Sequence, residues 1–224
     1  TLDSHLIEKN KQFLKLTYNK KIQYIVLTSV VPKVFFKIKK IFSKKKIKCL
    51  ELLDKKLRNP IKININKPKQ VGSDRISNVI AAHNFYNTNC IVVDFGTATT
   101  FDILTKKKTY EGGLITPGVR LSLSTLNSLT ALLPLVKLKK TSKIIGKDTV
   151  SAINSGIYWG YVSMINGILE KIISSTKKKY KIILTGGLSY IFSNSLKYKS
   201  TVARNLTLWG VVGIINFNKK LFKI

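Results

Sequence analysis

The segment from residue 91 to residue 104 limits the possible folds of this chain more than any other. Ile91-Val92-Val93-Asp94 is a short apolar run that ends in a carboxylate. The turn residues Phe95-Gly96-Thr97-Ala98 follow it, and Thr99 to Leu104 is strand-like again. This pattern is typical of a β-hairpin with a glycine-containing turn. The fold must therefore include an antiparallel strand pair near the middle of the chain.

Helices and strands alternate after this hairpin. The elements predicted there are a strand over Thr109 to Ile115 broken by Gly112-Gly113, a helix from Pro117-Gly118, a long helix from Asp148, a strand over Lys181 to Leu184 and a last helix from Leu206. Three antiparallel strands followed by alternating helices and strands indicate an α/β fold with a mixed sheet.

The chain is expected to divide into a first unit, residues 1–89, and a second unit, residues 90–224. The elements predicted in the first unit are a helix over residues 4–17, a strand over Ile22 to Leu27, a helix over Val34 to Phe42, a strand over Ile47 to Leu53, an extended connection over Pro60 to Pro68 and a helix from Gly72 to Phe85.

A formal net charge of +30 raises the question of a polyanionic partner. The chain has 36 Lys but only 4 Arg, together with 28 Ile and 16 Asn. Lys, Ile and Asn have AT-rich codons, and Arg is the residue that reads base edges and phosphates bidentately. The lysines are also dispersed over nearly every segment. We therefore expect no specific nucleic-acid partner, and a surface for nucleic acid or an anionic membrane remains the alternative.

The sequence also bears on compartment and on metal binding. Cys49 and Cys90 are not arranged as CxxC and have no paired histidines, which argues against a zinc site and for a reducing compartment. Residues 1–20 lack the pattern of a signal peptide. Thr149 to Leu169 has the length of a membrane span, but its polar residues favour a buried amphipathic helix. A cytoplasmic protein without a membrane partner is expected.

Asp94 and the turn that follows it are candidates for phosphate and cation binding. The small residues Gly96 and Thr97 would let backbone N–H groups approach phosphates closely, and Asp94 could hold a cation beside them. Gly112-Gly113 and Thr185-Gly186-Gly187 add bare backbone at the ends of other strands, where α/β folds contact nucleotides. The alternative is that Asp94 merely caps a turn and that each glycine pair is only a turn.

Gly72-Ser73-Asp74-Arg75 is the second candidate site. It opens a predicted helix, so Asp74 lies in the first turn, where the helix dipole favours a carboxylate. Arg75 could clamp an anionic substrate bidentately. The alternative is that Ser73 or Asp74 is an ordinary N-cap.

Together these segments resemble a known family, the type III pantothenate kinases of the actin-like and sugar-kinase ATPase superfamily. The resemblance covers essentially the whole chain, and its motifs stand in family order: Ser29-Val30-Val31-Pro32, Gly72-Ser73-Asp74-Arg75, Asp94 to Thr100, Gly112-Gly113 with Pro117-Gly118, Gly146 with Thr149, Ser155-Gly156 with Gly160-Tyr161, Thr185-Gly186-Gly187, and Leu206-Thr207-Leu208 with Gly210.

The resemblance implies two ribonuclease-H-like halves, a homodimer, and transfer of the γ-phosphoryl group of ATP to the primary hydroxyl of pantothenate. The residues Gly72, Ser73, Asp74, Arg75 and Thr149 would contact pantothenate, with Asp74 as the proton acceptor. Asp94 would bind a monovalent cation, K⁺ or NH₄⁺. Gly96, Thr97, Gly186 and Gly187 would contact ATP, which such enzymes use with Mg²⁺.

Two departures from the family pattern give further expectations. Family members begin with a strand and an Asp-x-Gly-Asn-Thr hairpin that holds the ATP phosphates and Mg²⁺, whereas this sequence starts at Thr1 without it. The first half is therefore expected to be truncated, and this polypeptide alone to bind ATP poorly. This sequence has Ile65 at a position where family members often have a Tyr that contacts pantothenate.

The alternative function is that of a non-catalytic or regulatory relative, similar to accessory-factor proteins that share the fold.

Overall fold

A computed structural model describes residues 22–29 and 31–223 of the chain. The strands are β1 (Tyr24–Leu27), β2 (Lys48–Glu51), β3 (Lys62–Ile63), β4 (Cys90–Phe95), β5 (Ala98–Thr105), β6 (Thr109–Pro117), β7 (Lys181–Gly186) and β8 (Ser200–Val202). The α-helices are α1 (Pro32–Ser43), α2 (Ser73–Tyr86), α3 (Val119–Ser128), α4 (Thr149–Thr176), α5 (Ser189–Phe192), α6 (Leu206–Phe217) and α7 (Lys219–Phe222). The helix predicted over residues 4–17 lies outside the described residues.

The described strands form two sheets. β1 and β2 pair in parallel, and the main sheet has the strand order β3-β6-β5-β4-β7-β8. In the main sheet β4, β5 and β6 are joined by antiparallel pairings, whereas β7 is parallel to both β4 and β8. The main sheet is therefore mixed, as the sequence predicted.

Each face of the main sheet carries its own hydrophobic core, because successive side chains of a strand point to opposite faces. On one face Val92 joins a core with Ile76 and Ile80 of α2 and with Ile214 of α6. On the other face Val93 and its neighbours pack against α4. We call these the α2 face and the α4 face.

Helices α2 and α6 pack closely on the α2 face. A Cβ at Gly210 of α6 would collide with the carbonyl oxygen of Ser77 in α2, so glycine is the residue that permits this approach. The Ser77 hydroxyl donates a hydrogen bond to the carbonyl oxygen of Thr207 at 2.6 Å. The beginning of α6 is therefore fixed against the first two turns of α2.

The structure corrects one predicted break and adds two strands. β6 continues through Gly112-Gly113, but its register with β5 shifts there, between the pairs Asp102–Gly113 and Leu104–Tyr110. Gly112 takes a φ of +96°, and Gly113 lies where a Cβ would meet the carbonyl oxygen of Phe101. The glycines thus let the strand pass close to β5. The two-residue β3 and the three-residue β8 are too short to give an alternating pattern that a sequence could reveal.

The remaining described elements match the predicted ones to within a few residues. Within the residues that the structure describes, no helix combines the length and the apolar character needed to cross a membrane. Helix α4, which contains the uncharged stretch from Thr149, packs instead on the α4 face. The division of the chain at residues 89 and 90 stays a prediction.

Candidate active site

Helix α2 begins at the candidate substrate motif. Gly72 precedes it in an extended conformation, and Ser73 is its first residue. The Ser73 hydroxyl accepts a hydrogen bond from the backbone N–H of Ser29 at 3.2 Å, which ties this helix start to the segment after β1. One carboxylate oxygen of Asp74 accepts from the backbone N–H of Arg75 at 2.8 Å. Asp74 is half-buried, so its other oxygen can face a ligand.

Arg75 has a buried partner that the sequence did not predict. Its Nε donates to Oδ1 of Asp102 on β5 at 2.7 Å, where the Arg75 side chain is 14% exposed and the Asp102 side chain 0% exposed. The Tyr110 hydroxyl donates to the same oxygen at 2.9 Å, and the Thr100 hydroxyl donates to Oδ2 at 3.1 Å. Burial raises the pKa of Asp102, whereas Arg75 and these hydrogen bonds act in the opposite direction.

One nitrogen of Arg75 remains available to a ligand. Nη2 is buried and makes no hydrogen bond within the described structure, and it lies beside Gly113 of β6. A buried donor without an acceptor is costly unless a ligand supplies one. That Arg75 clamps an anionic substrate bidentately stays a prediction. In the described structure Nε is held by Asp102, and Nη2 has no hydrogen-bond partner.

A cavity of about 410 Å³ lies at this free donor. It is lined by Ile65, Asn66, Lys67, Gln70, Val71, Arg75, Tyr110, Gly112 and Gly113. Ile65 lies against Gly112, where an added Cβ would be 3.4 Å from its Cγ2 atom. The family-variable position Ile65 is thus part of the cavity wall next to the candidate substrate motif.

Asp94 ends β4 on the same face. Its Oδ2 accepts from the side-chain amide of Asn78 in α2 at 2.8 Å. Its Oδ1 faces Gly186 of β7, whose φ is +85° and where a Cβ would lie 2.6 Å from that oxygen. Burial raises the pKa of Asp94 to about 6; the Asn78 hydrogen bond lowers it, and the charges of Asp74 and Asp102 raise it further. Three carboxylates therefore lie close together on the α2 face.

The turn after Asp94 exposes bare backbone. The N–H of Gly96 donates to the carbonyl oxygen of Ala98 at 3.1 Å, which closes the turn, and both Gly96 and Thr97 are exposed at its tip. Gly118 packs against the carbonyl of Thr97 so closely that a Cβ would collide with it. Gly187, after β7, has open space where a side chain would be. The predicted nucleotide-side residues Gly96, Thr97 and Gly186 thus lie around or just beyond Asp94.

The comparison with protein families identifies the chain. The family model for type III pantothenate kinase matches residues 3–171. The chain belongs to the type III pantothenate kinase family. A type III pantothenate kinase of Pelagibacter ubique is 47% identical over 205 residues, which is 91% of this chain and 82% of the relative. A type III pantothenate kinase of Sulfurihydrogenibium is 43% identical and covers 94% of this chain and 84% of the relative.

A solved structure agrees with the fold of this pantothenate kinase family member. It belongs to a Campylobacter jejuni protein described as a conserved Baf family transcriptional activator, with a TM-score of 0.58 and 22% identity. The match covers 94% of this chain and 88% of that chain. At this identity the similarity bears on the fold alone. The predicted actin-like ATPase fold with mixed α/β architecture is confirmed.

A monovalent cation, which the kinase family implies, fits the surroundings of Asp94. Oδ1 of Asp94 is not used by Asn78, and the position that a Cβ of Gly186 would fill lies 2.6 Å from both this oxygen and the carbonyl oxygen of Phe95. The hydroxyl of Thr185, the residue paired with Asp94 across β4 and β7, is buried without a partner. Oxygen atoms of these three kinds are suitable ligands for a hard cation.

Mg²⁺ has a weaker basis in the chain. Among residues 22–29 and 31–223, no group of three or more acidic, His or Cys side chains is placed to hold a metal ion.

Thr149 does not join the other predicted substrate residues within one chain. It is the exposed first residue of α4, whose buried side chains belong to the core on the α4 face. Asp148 caps this helix by accepting from the backbone N–H of Ser151 at 2.8 Å. The motif around Thr149 is therefore a capping box in this structure, separated from Asp74 by the main sheet.

Three further residues of the site were missed from the sequence. Asn78, Asp102 and Tyr110 each make a side-chain hydrogen bond to a carboxylate or arginine of the site. The period of α2 places Asn78 one turn after Asp74, which is the signal that could have pointed to it. For Asp102, the alternation along β5 could have placed it on the face that carries Asp94. Tyr110 reaches this face only through the register shift between β5 and β6 at Gly112, so alternation alone does not place it there.

Proposed function

We propose that this chain is a pantothenate kinase that transfers the γ-phosphoryl group of ATP to the primary hydroxyl of pantothenate, the first step of coenzyme A biosynthesis. The observation that supports the proposal is a cavity lined by Arg75, whose Nη2 has no hydrogen-bond partner in the described structure, with Asp74 as the preceding residue and Asp94 on the same face of the sheet. An anionic acceptor and a nucleotide phosphate could then meet at the start of α2.

The cavity would hold pantothenate by its carboxylate. Its volume of about 410 Å³ lies within the range of small-molecule sites, and Arg75 supplies a buried donor that lacks an acceptor. The ion pair with Asp102 fixes the guanidinium, so Nη2 is held ready for the ligand. Gly112 and Gly113 keep the opposite wall free of side chains.

Asp74 would orient the pantothenate hydroxyl and accept its proton late in the reaction. A carboxylate in the first turn of a helix interacts favourably with the helix dipole. Phosphoryl transfer passes through a loose transition state that needs little help from a strong base. Most of the rate enhancement would come from positioning and from neutralising phosphate charge. Gly72 and Ser73 would contribute to the same substrate contacts.

The nucleotide would bind at the Asp94 turn. The exposed backbone at Gly96 and Thr97, and at Gly186 and Gly187, would approach the ATP phosphates. A K⁺ or NH₄⁺ ion on Asp94 would supply positive charge beside them, and Mg²⁺ would arrive with ATP. The cytoplasm, where ATP is available, is the proposed compartment.

A homodimer would cover an apolar surface beside the start of α4. This surface consists of Leu129, Leu132, Leu135, Ile144 and Ile145, of which Leu132 is 90% exposed. Isolated exposed apolar residues are common, but five within 17 positions are typical of an interaction surface. The carbonyl oxygen of Ile144 is held by Ser155 of α4, so this surface adjoins Thr149. A dimer contact here would also give Thr149 a route to the pantothenate of a second protomer.

The test is a coupled ADP assay with two acceptors and an acceptor-free control. The acceptors are pantothenate and pantothenol, in which a hydroxymethyl group replaces the carboxylate. We expect ADP release with pantothenate, and a KM for pantothenol roughly 10-fold or more higher, because a hydrogen bond to a charged group contributes about 1.5–3 kcal/mol. ADP release at the same rate without an acceptor would contradict the proposal.

Nucleic acid is expected to bind weakly and without sequence preference, through dispersed lysines.

A non-catalytic relative is the second candidate, and Ile65 favours it. The side chain at this position lines the cavity and offers no hydroxyl to a substrate. In that case calorimetry would detect pantothenate or ATP binding to the protein, while the coupled assay with pantothenate would show no turnover above the acceptor-free rate.

A further inference from the structure

Asn78 connects helix α6 to the carboxylate of Asp94. It is fully buried in α2, and both ends of its side-chain amide are used. Nδ2 donates to Oδ2 of Asp94 at 2.8 Å, and Oδ1 accepts from the hydroxyl of Thr207 at 2.7 Å. Three side chains from β4, α2 and α6 thus form one continuous hydrogen-bonded chain.

Asp94 and Thr207 hold the two ends of the Asn78 amide. The ionised carboxylate of Asp94 can only accept, so the amide nitrogen must face it. The hydroxyl of Thr207 can donate or accept, and here it donates to Asn78 Oδ1. Asp94 therefore sets the direction of the amide, and Thr207, 129 positions away from Asn78 in the chain, anchors its other end.

Thr207 itself has a fixed position. The hydroxyl of Ser77 donates to its backbone carbonyl at 2.6 Å, and Gly210 lets α6 lie directly on the backbone of Ser77. Because the donor is anchored to the same helix that carries Asn78, the chain of hydrogen bonds cannot adjust by a shift of α6 alone.

We infer that Asn78 and Thr207 are positioning residues of the kinase reaction, which hold Oδ2 of Asp94 so that Oδ1 is presented to a monovalent cation at the phosphate turn. The inference rests on the proposed function and extends it to two residues outside the predicted site residues. The opening at Oδ1 is narrow, since Gly186 and the carbonyl of Phe95 border it. A carboxylate free to rotate would lose this geometry, and sites of this kind tolerate only about 10–20° of misorientation.

A purely structural role would have a different consequence. If Asn78 only satisfied a buried carboxylate, the loss of Thr207 Oγ1 would lower stability without a specific effect on cation binding. The two roles are separated by measuring cation binding directly, besides activity.

The variants are Thr207→Val, which removes the hydroxyl at nearly constant volume, and Thr207→Ser, which keeps it. Thr176→Val is the control: it removes a hydroxyl that donates within its own helix, to the carbonyl oxygen of Ile172, at the end of α4. Each protein is melted in KCl and in tetramethylammonium chloride at equal ionic strength, without substrates. The K⁺ concentration for half-maximal rate and the KM for pantothenate are then measured in the coupled assay.

We expect Thr207→Val to reduce the K⁺-specific rise in Tm by at least half and to raise the half-saturating K⁺ concentration roughly 5-fold, which corresponds to one lost hydrogen bond of about 1 kcal/mol. The KM for pantothenate should stay within about twofold of the wild-type value, since the cavity at Arg75 is not altered. Thr207→Ser and Thr176→Val should behave like the wild type.

Wild-type K⁺ values in Thr207→Val, or equal impairment in Thr207→Ser, would overturn the inference. So would a wild-type protein whose Tm does not respond to K⁺. If Thr207→Val does not fold, Thr207→Ala takes its place under the same criteria. A wild type that binds K⁺ but does not phosphorylate pantothenate would refute the proposed function, while the melting experiment would still decide the role of Thr207.

Discussion

The two faces of the main sheet differ in chemistry although they alternate residue by residue along the same strands. Val92 and Asp94 of β4 point to the α2 face, whereas Val93 and Phe95 point to the α4 face. The α2 face near the strand ends carries Asp94 and the buried Asp102. The same level of the α4 face is aromatic.

This difference shows how one sheet supports both an aromatic core and a site of buried carboxylates. On the α4 face Phe95 stacks on Phe192 with ring centroids 5.0 Å apart, and Tyr158 stacks on Phe192 with ring centroids 5.8 Å apart. On the α2 face the carboxylates are buried at a cost that partners only partly offset. The aromatic packing on the α4 face stabilises the fold and offsets part of the free-energy cost of burying carboxylates on the α2 face.

Replacement of Phe192 should give the largest effect and confine it to stability. Phe192 is fully buried in the aromatic cluster, so Phe192→Ala should lower the free energy of unfolding by about 3–5 kcal/mol. The KM for pantothenate should remain within about twofold, because the side chain faces away from the cavity. Urea titration and the coupled assay measure the two quantities. Tyr190→Ala, at an exposed neighbouring position, is the control. A large change in the KM for pantothenate in Phe192→Ala would contradict the separation of stability and substrate binding between the two faces.

Asp74→Asn should have the opposite profile. Turnover should fall at least about 100-fold, since the variant loses the group that orients and deprotonates the hydroxyl. Stability and oligomeric state should stay the same, because the carboxylate accepts only a local hydrogen bond from Arg75. Asp54→Asn, another acid whose carboxylate accepts a local backbone hydrogen bond, is the control. Near-normal turnover in Asp74→Asn would remove this residue from the mechanism.

Asp94 should make the polar face respond to pH. Its pKa is about 6 in the folded protein against 3.8 as the ordinary value, so between these pH values the folded state binds more protons than the unfolded state. The contribution of Asp94 to stability therefore falls as pH rises from about 4 to about 6 and is constant above that. Asp94→Asn should remove this slope, which amounts to about 1–3 kcal/mol.

The same variant tests the cation assignment. Activity of the wild type should decline below about pH 6 as Asp94 becomes protonated, and Asp94→Asn should need more K⁺ at pH 7. The measurements are urea titrations from pH 4 to pH 7 and rates in KCl and NaCl. Equal wild-type rates in Na⁺-only and K⁺ buffers would count against a cation at Asp94.

Local signals made much of this fold predictable. The β4–β5 hairpin and the start of α2 at Ser73 follow from short apolar runs and turn residues. The ion pair of Arg75 with Asp102 joins residues 27 positions apart, and the contact of Thr207 with Asn78 spans 129. Such partners depend on strand register and on helix packing, which a single sequence does not encode in any short segment.

Elements that exist only through pairing were also beyond prediction. β3 has two residues and is held by its parallel pairing with β6. The strand β6 was expected to break at Gly112-Gly113, because Gly-Gly usually marks a turn. The strand continues, but its register with β5 shifts at this point. Here the same residues allow close contact with β5 and leave one wall of the cavity bare. The glycines were correctly identified as unusual, but their role required the neighbouring strand.

The smallest expected effect concerns Ile65, and it tests whether changes in the cavity leave the α4 face untouched. Ile65 is half-buried in the cavity wall against Gly112, at a position where the family often has Tyr. Ile65→Tyr places a hydroxyl at the substrate, so the KM for pantothenate should fall about 5-fold, the effect of one hydrogen bond of about 1 kcal/mol. The free energy of unfolding should change by less than about 0.5 kcal/mol, since the side chain is not part of the fully buried core. Val202→Tyr, on the edge strand β8, adds a Tyr away from the cavity and should change neither quantity.

A higher KM in Ile65→Tyr would mean that the ring fills the space that pantothenate needs. A loss of stability would mean that the wall of this cavity supports the core beneath it.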